Sequence, residues 1–147
     1  MKYDYALEKI DDMIDEVHLL LVLHYEEIAH FKDIKLNPDF DTYFKLDQQG
    51  LLRIFTVRDQ GRLIGYNVFF IKEHLHYMDS LQAVQDVVFI KKEHRGGGGE
   101  FIAWCDEKLK SEGVQTVYHH VKAAHNFGKM LERQGYELVD LIYGKRL

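Results

Sequence analysis

The stretch from Asp86 to Phe101 constrains the fold of this chain most, because it joins a buried strand to a helix through four consecutive glycines. Residues 87–90 are apolar and rich in β-branched side chains, which is typical of a covered strand. Glycines allow a ligand to approach the backbone closely, and the helix start beyond them adds unpaired N–H donors and the positive end of a dipole. This order of elements predicts a phosphate-binding turn.

Three alternatives for the glycine run fit the sequence less well. A flexible linker usually contains Ser or Pro and separates two complete cores, whereas this run joins a core strand directly to an amphipathic helix. A nucleotide P-loop is excluded because no Gly-Lys-Ser/Thr follows the glycines. The dinucleotide-binding fingerprint is excluded because it requires a third glycine where Phe101 or Ile102 stands.

Length, charge and cysteine content narrow the class of protein. A chain of 147 residues suits a single domain over residues 1–147. The net charge of −5 argues against a general nucleic-acid binder. The longest apolar run, at 19–23, has five residues against the ~20 that a membrane span needs, and the N-terminus has no apolar signal segment. The single cysteine, Cys105, excludes an internal disulfide and fits a reducing cytoplasm.

The nine histidines do not form a recognisable metal motif. His74 and His76 would share one strand face, but no carboxylate-flanked helical pair is present. His119 and His120 are adjacent, so in a strand they point to opposite faces. We therefore predict no metal site.

Hydrophobic periodicity and turn signals predict an α/β (α+β) chain with a mixed sheet and helices on both faces. The predicted elements are a helix from Leu7 to about Ile28, a short helix after Pro38 that stops near Gly50, strands over 51–57, 63–71 and 83–90, a helix over about 99–112, a strand over 114–121, a helix over 127–133 and a last strand over 136–143. The exposed last strand could pair across a homodimer.

Residues 95–100, which read Arg-Gly-Gly-Gly-Gly-Glu, resemble the signature loop of the GNAT superfamily of acetyl-CoA-dependent N-acetyltransferases, Arg/Gln-x-x-Gly-x-Gly/Ala. Arg95 and Gly98 match this pattern, whereas Glu100 stands where the family has Gly or Ala. The hairpin over 59–66 is also similar to the family. Gly135 and the residue after it stand where the family has Gly-Phe.

A narrower resemblance points to a subgroup that is common in phage and prophage genomes. It is carried by five residues on or near the predicted third strand: His76-Tyr77, Ser80, Ala83 and Asp86.

The family resemblance implies a mostly antiparallel sheet and acetyl-CoA as the cosubstrate, without a metal. Backbone groups of Val88 and Ile90, with Phe89 between them, would bind the pantetheine arm as an added strand. Asn126 would contact the cofactor, although His125 could align at that position instead. Main-chain amides of six residues would bind the pyrophosphate: Arg95, Gly96, Gly97, Gly98, Gly99 and Glu100. The Arg95 side chain would also reach a phosphate.

Two residues are candidates for the base that removes a proton from the amine. By period-two parity, Asp86 faces with Val88 and Ile90, and a carboxylate on an apolar strand is costly unless it is paired or used. Its structural alternative is a satisfied Asp or a strand-end residue near solvent. His120 falls where some relatives carry a Glu base, and its alternative is an exposed histidine on an edge strand.

The family's usual acid for the departing thiolate is a tyrosine four residues before the Gly-Phe, and Leu131 stands there. Tyr77 or Tyr136 would serve instead, or no acid is needed, because a thiol of pKa ~8.5 is a tolerable leaving group near neutrality. Tyr77 is also a candidate for lining the amine pocket, with a place in the aromatic core as its alternative.

Together these features predict a cytoplasmic N-acetyltransferase that moves an acetyl group from acetyl-CoA to a primary amine by direct attack. A small-molecule amine is favoured over a peptide amine because no long acidic groove is evident. The alternative is a GNAT-shaped acyl-CoA-binding or regulatory module with weak or no turnover. Glu100 and the missing tyrosine motivate that alternative.

Overall fold

The computed structural model describes residues 2–147. Its centre is a five-stranded sheet in the order β1-β2-β3-β4-β5, in which β1 to β4 are antiparallel neighbours and β5 runs parallel to β4. The predicted mixed, mostly antiparallel sheet is thus confirmed. The elements are β1 Asp4–Glu8, α1 Ile10–Ile28, α2 Phe40–Gln48, β2 Leu52–Asp59, β3 Arg62–His74, β4 Tyr77–Ile90, α3 Gly98–Ser111, β5 Thr116–Tyr118 and α4 Gly128–Arg133.

Both faces of the sheet are covered, as predicted. Side chains of β2, β3 and β4 alternate between the two faces, so successive apolar residues supply two separate cores. On one face, Phe55 and Phe69 pack with Phe101 and Cys105 of α3. On the other face, the sheet packs against α1 and α2 through a cluster that includes Leu20, Ile54, Leu63, Tyr66, Val68 and Phe89. No helix within residues 2–147 is both long and apolar enough to cross a membrane.

The first helix begins later than predicted, because the chain opens with β1. Leu7 matches the helical spacing to Ile10, but the structure places it in a strand that pairs with β2 over five residues. Tyr5 of β1 packs against Phe101 and Trp104 of α3. Cross-strand pairing and this aromatic contact outweigh the local periodicity, and the Leu7 side chain is left half exposed.

The prediction of a last strand over 136–143 is wrong, and β5 is shorter than the predicted 114–121. β5 pairs with β4 over only three residues, and the described chain forms no strand after α4. Apolar and β-branched residues form a strand only when they pair with a neighbour, and residues 136–143 pair with none of the five strands. The C-terminal residues Leu138, Val139, Leu141, Ile142 and Tyr143 are all more than 60% exposed.

The start of α1 depends on a buried carboxylate from α2. The N-cap position, Lys9, makes no side-chain cap, and the Ile10 N–H instead donates to Asp47 Oδ2 at 2.9 Å. Lys9 Nζ lies 3.4 Å from Asp47 Oδ1. Because Asp47 is buried, this contact also fixes α2 against α1, and α2 carries Tyr43 toward the sheet.

We therefore expect Asp47→Ala to lower the free energy of unfolding by about 1–3 kcal/mol, since it leaves the Ile10 N–H and the end of α1 without their acceptor. Chemical denaturation followed by circular dichroism measures this loss. Asp79→Ala, at an exposed position of β4, is the matched control and should change stability by less than about 0.5 kcal/mol. Equal losses in the two variants would show that the cap contributes nothing.

Candidate active site

An open cleft lies between β4 and β5. β5 pairs with β4 only opposite Gln82, Ala83 and Val84, whereas β4 continues to Ile90. On its other side β4 stays paired with β3 as far as Ile90 opposite Gly65. Residues 85–90 therefore have no strand partner on the β5 side within the described chain. An exposed strand edge of this kind accepts an extended ligand as an added strand.

Gln85 stands at the point where the two strands part. Its side-chain carbonyl Oε1 accepts a hydrogen bond from the His120 backbone N–H at 3.0 Å and lies 3.0 Å from His119 Nδ1. Gln85 is buried, so these contacts are shielded from water. The amide connects β4 to the segment after β5 and fixes the width of the closed end of the cleft.

Asp86 forms a β-bulge beside the cleft. Gln85 lies opposite Phe69 and Val87 lies opposite Val68, so Asp86 between them has no partner of its own in β3. Its side chain accepts a hydrogen bond from the Tyr43 hydroxyl of α2.

The bulge corrects the predicted facing of Asp86. Val87 packs in the core beneath α1 and α2, where Tyr43 also lies, whereas Ile90 packs against the core on the α3 face. Asp86 therefore faces α2 and not the side of Ile90, because the extra residue shifts the alternation of side chains by one position.

The surroundings of Asp86 favour a role as a base. Burial raises the pKa of its carboxyl above the usual value of 3.8, and the hydrogen bond from Tyr43 and the charge of Lys122 only partly offset this rise. Burial, together with the hydrogen bond to Asp86, also raises the pKa of Tyr43, so that residue stays protonated and donates. A carboxylate with a raised pKa accepts a proton more readily near neutral pH.

Of the two adjacent histidines, the one whose side chain points inward is His119 and not the candidate base His120. His120 is exposed, and its contact with the cleft is the backbone N–H that reaches Gln85. His119 lies among three aromatic rings, with ring centroids 5.4 Å from Phe69 and 5.3 Å from Tyr136, and burial lowers its pKa to about 4. The alternation from Val117, which packs on the same core, was the signal for His119 in the sequence.

The glycine run is helical and not a loop. A 3-10 turn, Lys92–Gly97, leads directly into α3, and none of the four glycines has a positive φ. Their backbone conformation therefore does not require glycine. The space around each position is what remains to favour glycine there. At Gly97 a Cβ would lie 2.8 Å from the Tyr3 ring, and at Gly99 it would lie 3.3 Å from Gln134 Nε2.

The other two glycines have open space in front of them. A Cβ at Gly96 would meet no atom within 4 Å, and a Cβ at Gly98 would come no closer than 3.7 Å, to Ile90 Cδ1. Neither strain nor crowding inside the chain accounts for glycine at these positions. Their bare backbone at the N-terminus of α3, next to the end of β4, is where the pyrophosphate of a ligand would fit.

Two of the remaining candidates near this turn, Arg95 and Asn126, have side-chain partners within the chain. Arg95 Nε donates to the Ile90 carbonyl at 2.9 Å, and its terminal Nη2 binds the Glu27 carboxylate of α1. Asn126 Oδ1 accepts the Gly128 N–H at 2.8 Å near the start of α4. Glu100 is exposed in the first turn of α3.

The structure does not bring Tyr77 to this site. Tyr77 is 64% exposed at the start of β4, nine residues before Asp86 on the same strand, which corresponds to roughly 30 Å. Tyr136, the other candidate acid, donates its hydroxyl to Asp106 of α3 at 2.7 Å. Tyr43 lies in the short second helix and had no predicted role in the site, yet it is the tyrosine that reaches Asp86. Among the described residues, no group of three or more His, Cys, Asp and Glu side chains is arranged to hold a metal ion.

We expect Gln85→Ala to lower the free energy of unfolding by about 1–3 kcal/mol, because the His120 N–H loses its acceptor. Chemical denaturation measures this loss. Gln82→Ala, at a buried glutamine in the paired part of β4, is the matched control. If Gln82→Ala lowered the free energy of unfolding as much, the role assigned to Gln85 in joining β4 to the segment after β5 would be wrong.

Comparison with known proteins identifies the fold. No protein-family model and no curated protein sequence matches the chain. Among solved structures, a ribosomal-protein-alanine N-acetyltransferase from Brucella melitensis biovar Abortus 2308 is 19% identical, with a TM-score of 0.77 over 100% of this chain and 99% of that one. The aminoglycoside acetyltransferase HMB0005 from an uncultured soil metagenomic sample is 13% identical, with a TM-score of 0.74 over 100% and 99%.

A third structure, a predicted acetyltransferase from Clostridium acetobutylicum with acetyl-CoA, is 11% identical, with a TM-score of 0.70 over 98% of this chain and 96% of that one. These three neighbours match over nearly the whole of both chains. The narrower resemblance to the phage-type subgroup stays a prediction. At these identities the likeness establishes the architecture, and the chain has the fold of the GNAT acetyltransferases, as its glycine motif predicted.

Proposed function

We propose that this protein transfers an acetyl group from acetyl-CoA to a primary amine of a small molecule. One observation carries the proposal: the open edge of β4 at residues 85–90 runs from the partly buried carboxylate of Asp86 to the two uncrowded glycines, Gly96 and Gly98. A ligand that combines a pyrophosphate with a long amide-containing arm matches this path. The acetyltransferase neighbours, one of them with acetyl-CoA, support the same reading.

The chain's own groups would hold the cosubstrate from both ends. Main-chain amides of the 3-10 turn and of the first turn of α3 would bind the pyrophosphate, and the Gly98 N–H would exchange its present acceptor, the Arg95 carbonyl, for a phosphate oxygen. Backbone groups of Val88, Phe89 and Ile90 would bind the pantetheine arm along the open edge. Arg95 would exchange the Glu27 carboxylate for a phosphate, and Asn126 would contact the cosubstrate near α4.

Acetyl-CoA supplies the thioester whose carbonyl carbon the amine nitrogen attacks, so that a C–N bond forms, the C–S bond breaks and CoA leaves as its thiolate. Asp86 would take the proton that the amine loses, because its raised pKa suits proton abstraction and its position at the bulge lies beside the open edge. A backbone N–H of β4 past the bulge would stabilise the oxyanion.

No dedicated acid is assigned to the thiolate. The position that the family gives to a tyrosine holds the buried Leu131, and the Tyr136 hydroxyl is bonded to Asp106. A thiol of pKa ~8.5 leaves as the thiolate near neutral pH and then takes a proton from solvent.

We expect Asp86→Asn to lower kcat about a hundredfold to ten-thousandfold while the fold is kept, since an Asn carbonyl still accepts the Tyr43 hydrogen bond. Wild-type kcat/KM should fall as the pH drops through the pKa of Asp86, which lies above the usual range for Asp, because the base acts only when deprotonated. The variant should lack this limb of the pH profile. CoA release, followed with a thiol reagent, measures both.

His120→Ala is the matched control for this test, because the exposed imidazole should leave kcat nearly unchanged. A large loss in His120→Ala with none in Asp86→Asn would reverse the assignment of the base. A wild type that binds acetyl-CoA but releases no CoA with any amine would favour the acyl-CoA-binding or regulatory module.

We expect Gly98→Ala to weaken acetyl-CoA binding at least tenfold without unfolding the protein. Gly98 already has helical angles, φ −62° and ψ −39°, and a Cβ there has room within the chain. The substitution should therefore raise the free energy of unfolding by about 0.5–1 kcal/mol while it fills the space for the pyrophosphate. Calorimetric titration and thermal unfolding separate the two effects. Glu107→Ala, on the exposed face of α3, is the control. An unchanged affinity for acetyl-CoA in Gly98→Ala would contradict the assignment of this turn to the pyrophosphate.

A further inference from the structure

A cavity lies on the face of the sheet that α1 and α2 cover, where Tyr43 also lies. It has a volume of about 450 Å³ and lies between α1, the segment over 29–38, α2 and the sheet. Apolar side chains form most of its wall: Met13, Val17 and Leu21 of α1, Phe40 of α2, and Val68 and Val87 of the sheet. This volume falls within the range of sites for small molecules.

The cavity reaches the candidate base through Tyr43 and Val87. Tyr43 lines the cavity and donates its hydroxyl to Asp86, and Val87 is the next residue along β4. Tyr66 of β3 also lines the cavity, and its hydroxyl lies 3.1 Å from His24 Nδ1. The Tyr43 and Tyr66 hydroxyls therefore have partners, and Tyr43 connects the cavity wall to Asp86, which is not itself part of the lining.

The distribution of charge in this wall excludes one class of acceptor. Among the described residues no Asp or Glu lines the cavity, and its two basic side chains, His30 and Lys35, are both exposed at its outer part. A polycation such as an aminoglycoside would find no carboxylate there and would bring its charges next to Lys35. A single ammonium group would find a carboxylate at Asp86, the hydrogen-bond partner of Tyr43.

The rim of the cavity is also apolar. Ile34 and Leu36 are 54% and 40% exposed although both belong to its lining. A polar substrate would leave these apolar side chains exposed to water, whereas an apolar substrate would bury them.

We infer that this cavity binds the apolar body of the acceptor, so that the substrate is a monoamine with an aryl or alkyl group and with its nitrogen at Asp86. This inference rests on the proposed function and adds the substrate class to it. Burial of each methylene of the substrate in such a cavity should strengthen binding by up to roughly fourfold.

A homologous series tests the inference. KM or Kd should fall about two- to fourfold per methylene from propylamine to hexylamine, and phenethylamine should be preferred at least tenfold over kanamycin and glucosamine. Ile34→Glu, which places a carboxylate at the rim, should raise KM for phenethylamine at least fivefold and leave KM for acetyl-CoA unchanged. Leu75→Glu is the matched control, since Leu75 is 99% exposed and lies outside the cavity.

The outcomes separate this inference from the proposed function. Preferred acetylation of kanamycin or glucosamine, or a KM that does not depend on chain length, would overturn the apolar acceptor and keep the acetyltransferase. Absence of acetyl transfer to every amine would overturn the proposed function, and calorimetric titration with phenethylamine then decides the cavity alone. Phenethylamine binding that is weakened by Ile34→Glu but not by Leu75→Glu would support the apolar site. If phenethylamine did not bind, or if both variants affected its binding equally, the apolar site would be overturned.

Discussion

One extra residue in β4 determines how the site is built. At Asp86 the pairing with β3 slips by one position, so β4 bulges at the place where β5 stops pairing with it. A bulge bends a strand and increases its local twist, which separates β4 from a neighbour that continues straight. The same slip turns the Asp86 carboxylate toward α2, where the Tyr43 hydroxyl binds it. The open edge and the partly buried carboxylate are two consequences of one irregularity.

The contacts that hold this irregularity come from distant parts of the sequence. Tyr43 reaches Asp86 because α2 is fixed to α1 by Asp47, and Gln85 joins β4 to the chain after β5. The cost of placing Asp86 in a mostly apolar setting shows in its raised pKa. A neutral residue at position 86 would not carry this desolvation cost. We therefore infer that Asp86 serves function at some expense of stability.

Local patterns in the sequence predicted the parts of the site that depend on local chemistry. The strand, the glycine run and the helix stand where the sequence put them, and so does the hairpin between β2 and β3. The bulge escaped prediction because both Val87 and Val88 are apolar, so a shift by one position leaves the hydrophobic pattern unchanged. Tyr43 was missed as the partner of Asp86 because their contact spans 43 positions. The reason for glycine at each of the four positions also needed the packed structure, since two of them face Tyr3 and α4 and two face open space.

We propose that the open edge of β4 and the turn before α3 are the two halves of one binding site for acetyl-CoA. A crystal structure of the protein with coenzyme A would decide this. We expect the pyrophosphate on amides between Arg95 and Glu100 and the pantetheine arm beside residues 85–90, with its sulfur near Asp86. Coenzyme A bound elsewhere, or no binding at millimolar concentration with this turn left free, would show that the assignment is wrong.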